Sequence, residues 1–294
     1  MICKTAMKAL EKNIINLYGK KGKQWLANLP NLIAQVGTTY GLSNLNPVKN
    51  LSYNYVLSGF QDNQPIILKL GQDIDGLKQE AKALEAFLGF GVVCVIAEND
   101  GLLLQIRAMS GVSLKSYFPA KDNEAISITI NTMKLLHKAP IPQVHSFLNV
   151  KDWLSILDKD WEIPTKYIQK ARALRDNLLK TSEKEVLLHG DLHHDNILQN
   201  GNDWVVIDPK GVIGEPAYEV AAFIRNPLPE LLKHDNVQVI VDNRIMCFAE
   251  MLKLPESRIL DWCFVQAVLS WVWALEDRYD TTYFEQIIEL LESN

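Results

Sequence analysis

The sequence predicts an α+β protein in two lobes, a small strand-rich N-terminal one and a larger helical C-terminal one. Three observations carry that expectation. Between residues 53 and 106 apolar residues come in short runs separated by turn-rich tetrapeptides, the signature of hairpins. From residue 123 onward they recur at helical spacing. Within that second part, Val186 to Gly214 breaks the helical pattern with two short apolar runs, each ending in a carboxylate. The boundary falls after Arg107, giving lobes over residues 1–107 and 108–294.

Taken in order, residues 6–18 and 23–36 read as helices, with Leu10, Ile14 and Leu17 on one face and Trp25, Leu29, Leu32, Ile33 and Val36 on another. Pro30 marks a break or a helix start. Tyr53–Phe60 and Pro65–Leu70 flank Gln61-Asp62-Asn63-Gln64 as a hairpin, and a helix over Leu77–Leu88 carries Glu80 and Glu85. Val92–Ala97 and Leu102–Ile106 form a second hairpin, leading through LLLQIRAMSG into a helix that Ser113 caps. Asn123–Lys138 and Tyr167–Leu179 are amphipathic helices, and the last third, from Asn236, is helical and rich in tryptophan at 262, 271 and 273. His137, in LLHKAP, reads as a structural histidine at a helix end.

The stretch from Val186 reads VLLHGDLHHDNILQNGNDWVVIDPKGVIG. Val186–Leu188 empties into His189-Gly190-Asp191, and Trp204–Ile207 into Asp208-Pro209-Lys210-Gly211. The turn-rich Gln199–Asp203 segment folds the second run back beside the first, which brings Asp191, Asn196 and Asp208 together. Crowded anionic groups repel one another and are tolerated around a cation or a proton. A plain hairpin has no use for His, Asp, Asn and Asp at this spacing.

Asp191 and Asn196 stand in the order D-x-x-x-x-N, and Asp208 follows where a kinase places its second metal-holding aspartate. With H-G-D-x-x-x-x-N followed by D-P, the chain resembles the aminoglycoside phosphotransferases, small-molecule kinases of protein-kinase-like fold. The string HGDLHHDN…IDPKG is most similar to their streptomycin and hydroxyurea kinase branch. The resemblance implies an ATP- and Mg2+-dependent phosphotransferase whose first lobe binds nucleotide and whose second carries catalysis and substrate. Asp191 would deprotonate the acceptor hydroxyl, while Asn196 and Asp208 would hold magnesium. Lys69, ending Ile66-Ile67-Leu68-Lys69, would hold the α- and β-phosphates and pair with Glu80, or alternatively Glu85. Ser52, in Asn50–Asn54, would contact phosphate, and Gln105 and Arg107 would meet adenine. Glu219 stands where the family usually has aspartate, to buttress the catalytic loop or to cap a helix dipole. The implied acceptor is a hydroxyl of a streptomycin-type aminoglycoside. Glu276 and Asp277, joined by Asp280 after LSWVWALED, read either as the lining of a pocket for a cationic ligand or as surface acids.

Composition narrows the classes. The 48% hydrophobic content suits an ordinary core, and a net charge of −5 argues against binding a phosphate backbone while suiting a cationic small molecule. Cys3, Cys94, Cys247 and Cys263 have no paired spacing and read as buried thiols in a reducing compartment. The apolar runs fall short of a membrane span and the N-terminus lacks an apolar targeting stretch, so a cytoplasmic protein is expected, with neither membrane nor nucleic acid as partner. There is no G-x-x-x-x-G-K-[ST], which excludes a P-loop enzyme. Three alternatives stand beside the antibiotic kinase. One is a kinase of an endogenous amino sugar or amino alcohol. Another is a zinc hydrolase using His189, His193, His194, Asp191, Asp195 and Asp208, although H-E-x-x-H is missing. The third is an inactive kinase-shaped binding protein, against which the intact Lys69, Asp191, Asn196 and Asp208 speak.

Overall fold

A computed structural model describes residues 4–49 and 51–292. Two compact units emerge, Met1–Leu88 with Val93–Ala108, and Gly89–Val92 with Met109–Asn294.

The first unit is an antiparallel sheet backed by a long helix. Helix α1 (Lys4–Tyr40) leads into β1 (Leu42–Pro47), β2 (Tyr55–Gln61), β3 (Gln64–Leu70), α2 (Ile74–Ala86), β4 (Val95–Asn99) and β5 (Leu102–Ile106). The strand order is β1-β2-β3-β5-β4. Leu10, Ile14, Leu29 and Val36 of α1 form one core with Leu57, Ile66, Leu68 and Leu104 of the sheet. The helix breaks at Gly19, where φ is 56°, and not at Pro30, which lies inside it. Pro30 is exposed, so solvent can take the carbonyl that its missing N–H leaves unbonded. Strand β1, LSNLNP, was invisible to hydrophobic pattern because it is a mostly polar edge, the place where a sheet tolerates proline. Asp73 caps α2 by accepting from the Gly76 N–H at 2.8 Å.

The second unit opens with β6 (Ser110–Ser113), α3 (Asp122–Leu136), β7 (Leu148–Asn149), α4 (Val150–Leu154) and α5 (Thr165–Lys180). It continues with β8 (Val186–Leu188), β9 (Ile197–Asn200), β10 (Asp203–Val206) and β11 (Val212–Gly214), then α6 (Val220–Ile224), α7 (Val237–Leu252), α8 (Glu256–Glu276) and α9 (Thr282–Glu292). The expected pairing of Val186–Leu188 with Trp204–Ile207 is not what forms. Strand β10 pairs with β9 and β8 with β11, in separate three-stranded sheets. The reason is turn length. Gly201-Asn202 closes a two-residue hairpin between nearest neighbours, and left-handed Asp208 and Gly211, with φ of 61° and 66°, turn the chain back so that β11 reaches β8. Ser113 does not open a long helix; it caps a single 3-10 turn, Leu114–Tyr117, and α3 begins at Asp122.

Helix α8 is the centre of the helical part, touching α5, α6, α7 and α9. It is apolar nearly all round, as a buried helix must be. Contrary to the sequence expectation, it is long and apolar enough to cross a membrane by length and composition, but most of it is buried inside the fold. Trp262 and Trp271 are core side chains. Of the cysteines, Cys263 is buried but Cys94, in the connection just before β4, and Cys247, on α7, are only half-buried, and Cys3 lies outside the described residues.

Arg244 of α7 is fully buried and ties this unit together. Its Nε and Nη2 donate to Asp122 at 2.8 and 2.6 Å, and Nη1 donates to the carbonyls of Phe223, Ile224 and Asn226. Replacing it by methionine strands a buried carboxylate and three carbonyls. Arg244→Met is therefore expected to lower unfolding free energy in urea by about 3–5 kcal/mol. A loss below about 1 kcal/mol, the scale of an exposed pair, would contradict this reading.

Candidate active site

His189 stands at the centre of the loop that follows β8, and each of its polar groups is spent holding that loop. Its backbone N–H, and that of Gly190, donate to the two oxygens of Glu219 at 2.7 and 2.9 Å. Its carbonyl accepts from Lys210 and Gly211 at 2.8 and 3.3 Å. The ring Nε2 lies 2.8 Å from the Ile207 carbonyl, so that nitrogen carries the proton, and Nδ1 accepts the Asp191 N–H at 3.1 Å. Burial pushes this imidazole below its usual pKa, outweighing Glu219, the Ile207 carbonyl and Asp191, which pull it up. The His-Gly-Asp segment and the Asp-Pro-Lys-Gly turn are thus laced to one neutral side chain. Gly190 has φ of 86°, and a Cβ there would come within 2.9 Å of Trp153 Cη2, so glycine is required twice over.

Asp191 emerges from this frame partly exposed. Its Oδ2 faces His193 Nε2 at 3.7 Å and its Oδ1 faces Arg225 Nη2 at 3.8 Å. Burial works to raise its pKa, but His193, Arg225, Lys210 and His189 together hold the carboxyl below the usual carboxylate range. It is ionised at neutral pH and able to accept a proton. Asn196 is buried and its amide nitrogen donates to the Asp191 carbonyl at 2.9 Å, which leaves the side-chain oxygen as the atom able to hold a cation. The Ile207 N–H donates to the Asn196 carbonyl at 3.1 Å, so Asp208 follows directly on the rung that holds Asn196. An amide oxygen and a carboxylate fit a hard cation of magnesium type.

The first unit carries its own fixed group. Lys69 Nζ of β3 meets Glu80 Oε1 of α2 at 2.7 Å, with both side chains about as buried as a core residue. Glu85, the alternative partner, is exposed. Gln105 is 2% exposed on β5 and its buried side-chain oxygen has no hydrogen-bond partner among the described residues, while half-buried Arg107 donates its N–H to the Pro65 carbonyl at 3.0 Å. Ser52 is exposed and its carbonyl accepts from Asn13 Nδ2 at 3.1 Å; Asn50 lies outside the described residues.

The predicted acids Glu276 and Asp277 end α8; Glu276 and Asp280 are exposed, and burial lifts the half-buried Asp277 above its usual range. One turn earlier, Trp273 is 36% exposed and meets Trp153 edge-on at 5.7 Å and 79°. Since Trp153 packs on Gly190, an aromatic corner joins the end of α8 to the catalytic loop. Trp153 and Arg225 escaped the reading of the sequence, and His193 entered it only as a ligand of the zinc hydrolase alternative. The charge of Arg225 inside the apolar run AAFIRNP is the one signal that pointed to it.

The histidines do not converge as a zinc site requires. His189 uses both ring nitrogens on the backbone, His193 Nδ1 accepts the Asp195 N–H at 3.2 Å, and His194 is buried flat on Phe223, 4.0 Å between ring centres.

A family model described as aminoglycoside/hydroxyurea antibiotic resistance kinase matches residues 43–278. The streptomycin 3''-kinase of Klebsiella pneumoniae is 28% identical over 76% of this chain and 85% of its own length. The streptomycin 6-kinase of Streptomyces griseus is 23% identical over 88% of this chain and 87% of its own. Among solved structures, a thermostable mutant of an aminoglycoside phosphotransferase in ternary complex with ADP and hygromycin B superposes with a TM-score of 0.68 at 14% identity, covering 88% of this chain and 96% of that one. The choline kinase of Streptococcus pneumoniae gives 0.66 at 12%, covering 90% and 99%. These two show the protein-kinase-like fold.

Two histidines make stability depend on pH. His189 and His194 are held neutral by burial, with Arg244, His193 and Lys115 pushing His194 further down. Both folded pKa values lie below the unfolded value of about 6.5, so their contribution is fully present above that pH and is lost as pH falls below it. Unfolding should take up protons in this range, and the midpoint in urea should fall below pH 6.5. His194→Leu is expected to remove about one proton from that slope; an unchanged slope would count against the assignment.

Proposed function

The chain belongs to the aminoglycoside/hydroxyurea antibiotic resistance kinase family, and on that premise we propose that it transfers the γ-phosphoryl group of ATP to a hydroxyl of a cationic, streptomycin-type aminoglycoside. The observation that carries this reading is the lacing of the D-x-x-x-x-N loop and the D-P turn onto His189, with an ionised Asp191 presented between them. The acceptor hydroxyl would sit within about 2.6–3.2 Å of Asp191, which takes its proton as the new O–P bond forms and the bond from the γ-phosphorus to the bridging oxygen breaks, with ADP leaving. Asn196 and Asp208 would hold magnesium. When bound, that ion supplies neutralising charge at the ATP phosphates. Lys69, fixed by Glu80, would hold the α- and β-phosphates, with Ser52 beside them and Gln105 and Arg107 toward adenine. On the acceptor side, Trp153 and Trp273 offer faces on which a cation can rest, and Glu276 and Asp277 offer opposite charge. A requirement for ATP supports a cytoplasmic reaction.

The test follows ADP release with streptomycin, a panel of aminoglycosides, and choline. Streptomycin should be turned over. Asp191→Asn should cut turnover by about 10²–10⁴-fold while leaving the ATP–magnesium shift in melting temperature intact. Asp208→Asn should abolish that shift, and a shift surviving it would sink the metal assignment. Turnover only with a neutral metabolite would defeat the antibiotic reading and leave a kinase.

A further inference from the structure

Arg225 follows the five apolar residues of α6, and its side chain is only 13% exposed. A cation so nearly buried needs a counter-charge, and among the described residues Asp191 is the carboxylate within ion-pair distance of it. The guanidinium is not free to swing. Nη1 donates to Gln266 Oε1 at 2.7 Å, and Gln266, itself 3% exposed on α8, is locked by donating Nε2 to the Tyr218 carbonyl at 2.5 Å. The Arg225 carbonyl accepts from the Tyr283 hydroxyl. Backbone and head group are therefore anchored from α9 and α8 respectively.

The remaining distance is the informative one. Nη2 stands 3.8 Å from Asp191 Oδ1, too far for a hydrogen bond and close enough for charge to act in a site largely out of water. A direct bond would occupy the lone pair that must receive a proton. At this separation the oxygen stays available while the carboxylate plane is drawn toward the guanidinium, with His193 Nε2 facing the other oxygen at 3.7 Å. The choice of glutamine at 266 fits the same role, because a carboxylate there would compete with Asp191 for the cation. We propose that Arg225, locked by Gln266, is a positioning residue that aims the Asp191 carboxylate at the acceptor hydroxyl. The inference rests on the kinase reading for its kinetic consequence, but its geometry is a property of the second unit alone.

Two readouts test it on the full-length chain. In steady-state assays with ATP and streptomycin, Arg225→Met and Gln266→Glu are each expected to lower kcat by about 10–100-fold, the scale of a misaimed catalytic group, with KM for ATP changed less than about threefold. Arg225→Lys should recover part of the loss. In crystals of Gln266→Glu, which keeps Arg225 and serves if Arg225→Met fails to fold, the Asp191 carboxylate should rotate or split between conformers while the Glu219 bonds to His189 and Gly190 remain. An unmoved Asp191, or an unchanged kcat, overturns the proposal. If the unmodified protein phosphorylates no acceptor, the kinase reading fails separately, and the crystallographic result still decides the positioning.

Discussion

A single buried carboxylate holds the loop after β8 in place. Glu219 is 1% exposed and receives the N–H groups of both His189 and Gly190, which no strand partner takes up where β8 ends. Burying a carboxylate costs several kcal/mol unless charge-assisted bonds offset it, and here two backbone donors do so, with His137 Nε2 a further 3.6 Å away. His137 thus serves the site at one remove, as a structural histidine behind the loop. From Glu219 outward the order is fixed: His189 positions Ile207, Lys210 and Gly211, and Asp191 inherits its direction from Gly190.

The first unit solves a matching problem with a different device. Lys69 must point one way from a strand, and its pairing with Glu80 sets the direction of the ammonium before any ligand arrives. A buried pair of this kind contributes little net stability, since desolvation consumes most of the Coulomb gain. Its value is geometric. Each unit therefore presents one preorganised charge, an ammonium on β3 and a carboxylate after β8, and preorganised charge is what phosphoryl transfer demands.

Much of this was legible because it is local in sequence. The D-x-x-x-x-N spacing, the D-P turn, the hairpin of β2 and β3 and the strand-then-helix order of Lys69 and Glu80 all lie within short windows. Strand partnership in the second unit was not, because β8 pairs with β11 across a turn whose left-handed Asp208 has no compositional signature. Strands β1 and β6 hid for lack of apolar alternation. Arg225, Gln266 and Trp153 come from three helices or helix ends far apart in the chain, and only packing brings them to Asp191 and Gly190. Helix α8 has the length and composition of a membrane span, which uninterrupted apolar runs do not reveal, and its burial in the fold accounts for that composition.

Amide hydrogen exchange at His189 and Gly190 tests the central claim most directly. If the Glu219 carboxylate anchors the loop, both amides exchange as slowly as the core amides of β8, and Glu219→Ala accelerates them by orders of magnitude while the β8 amides stay slow. Fast exchange at His189 and Gly190 in the unmodified protein, at the rate of an exposed loop, would contradict the account.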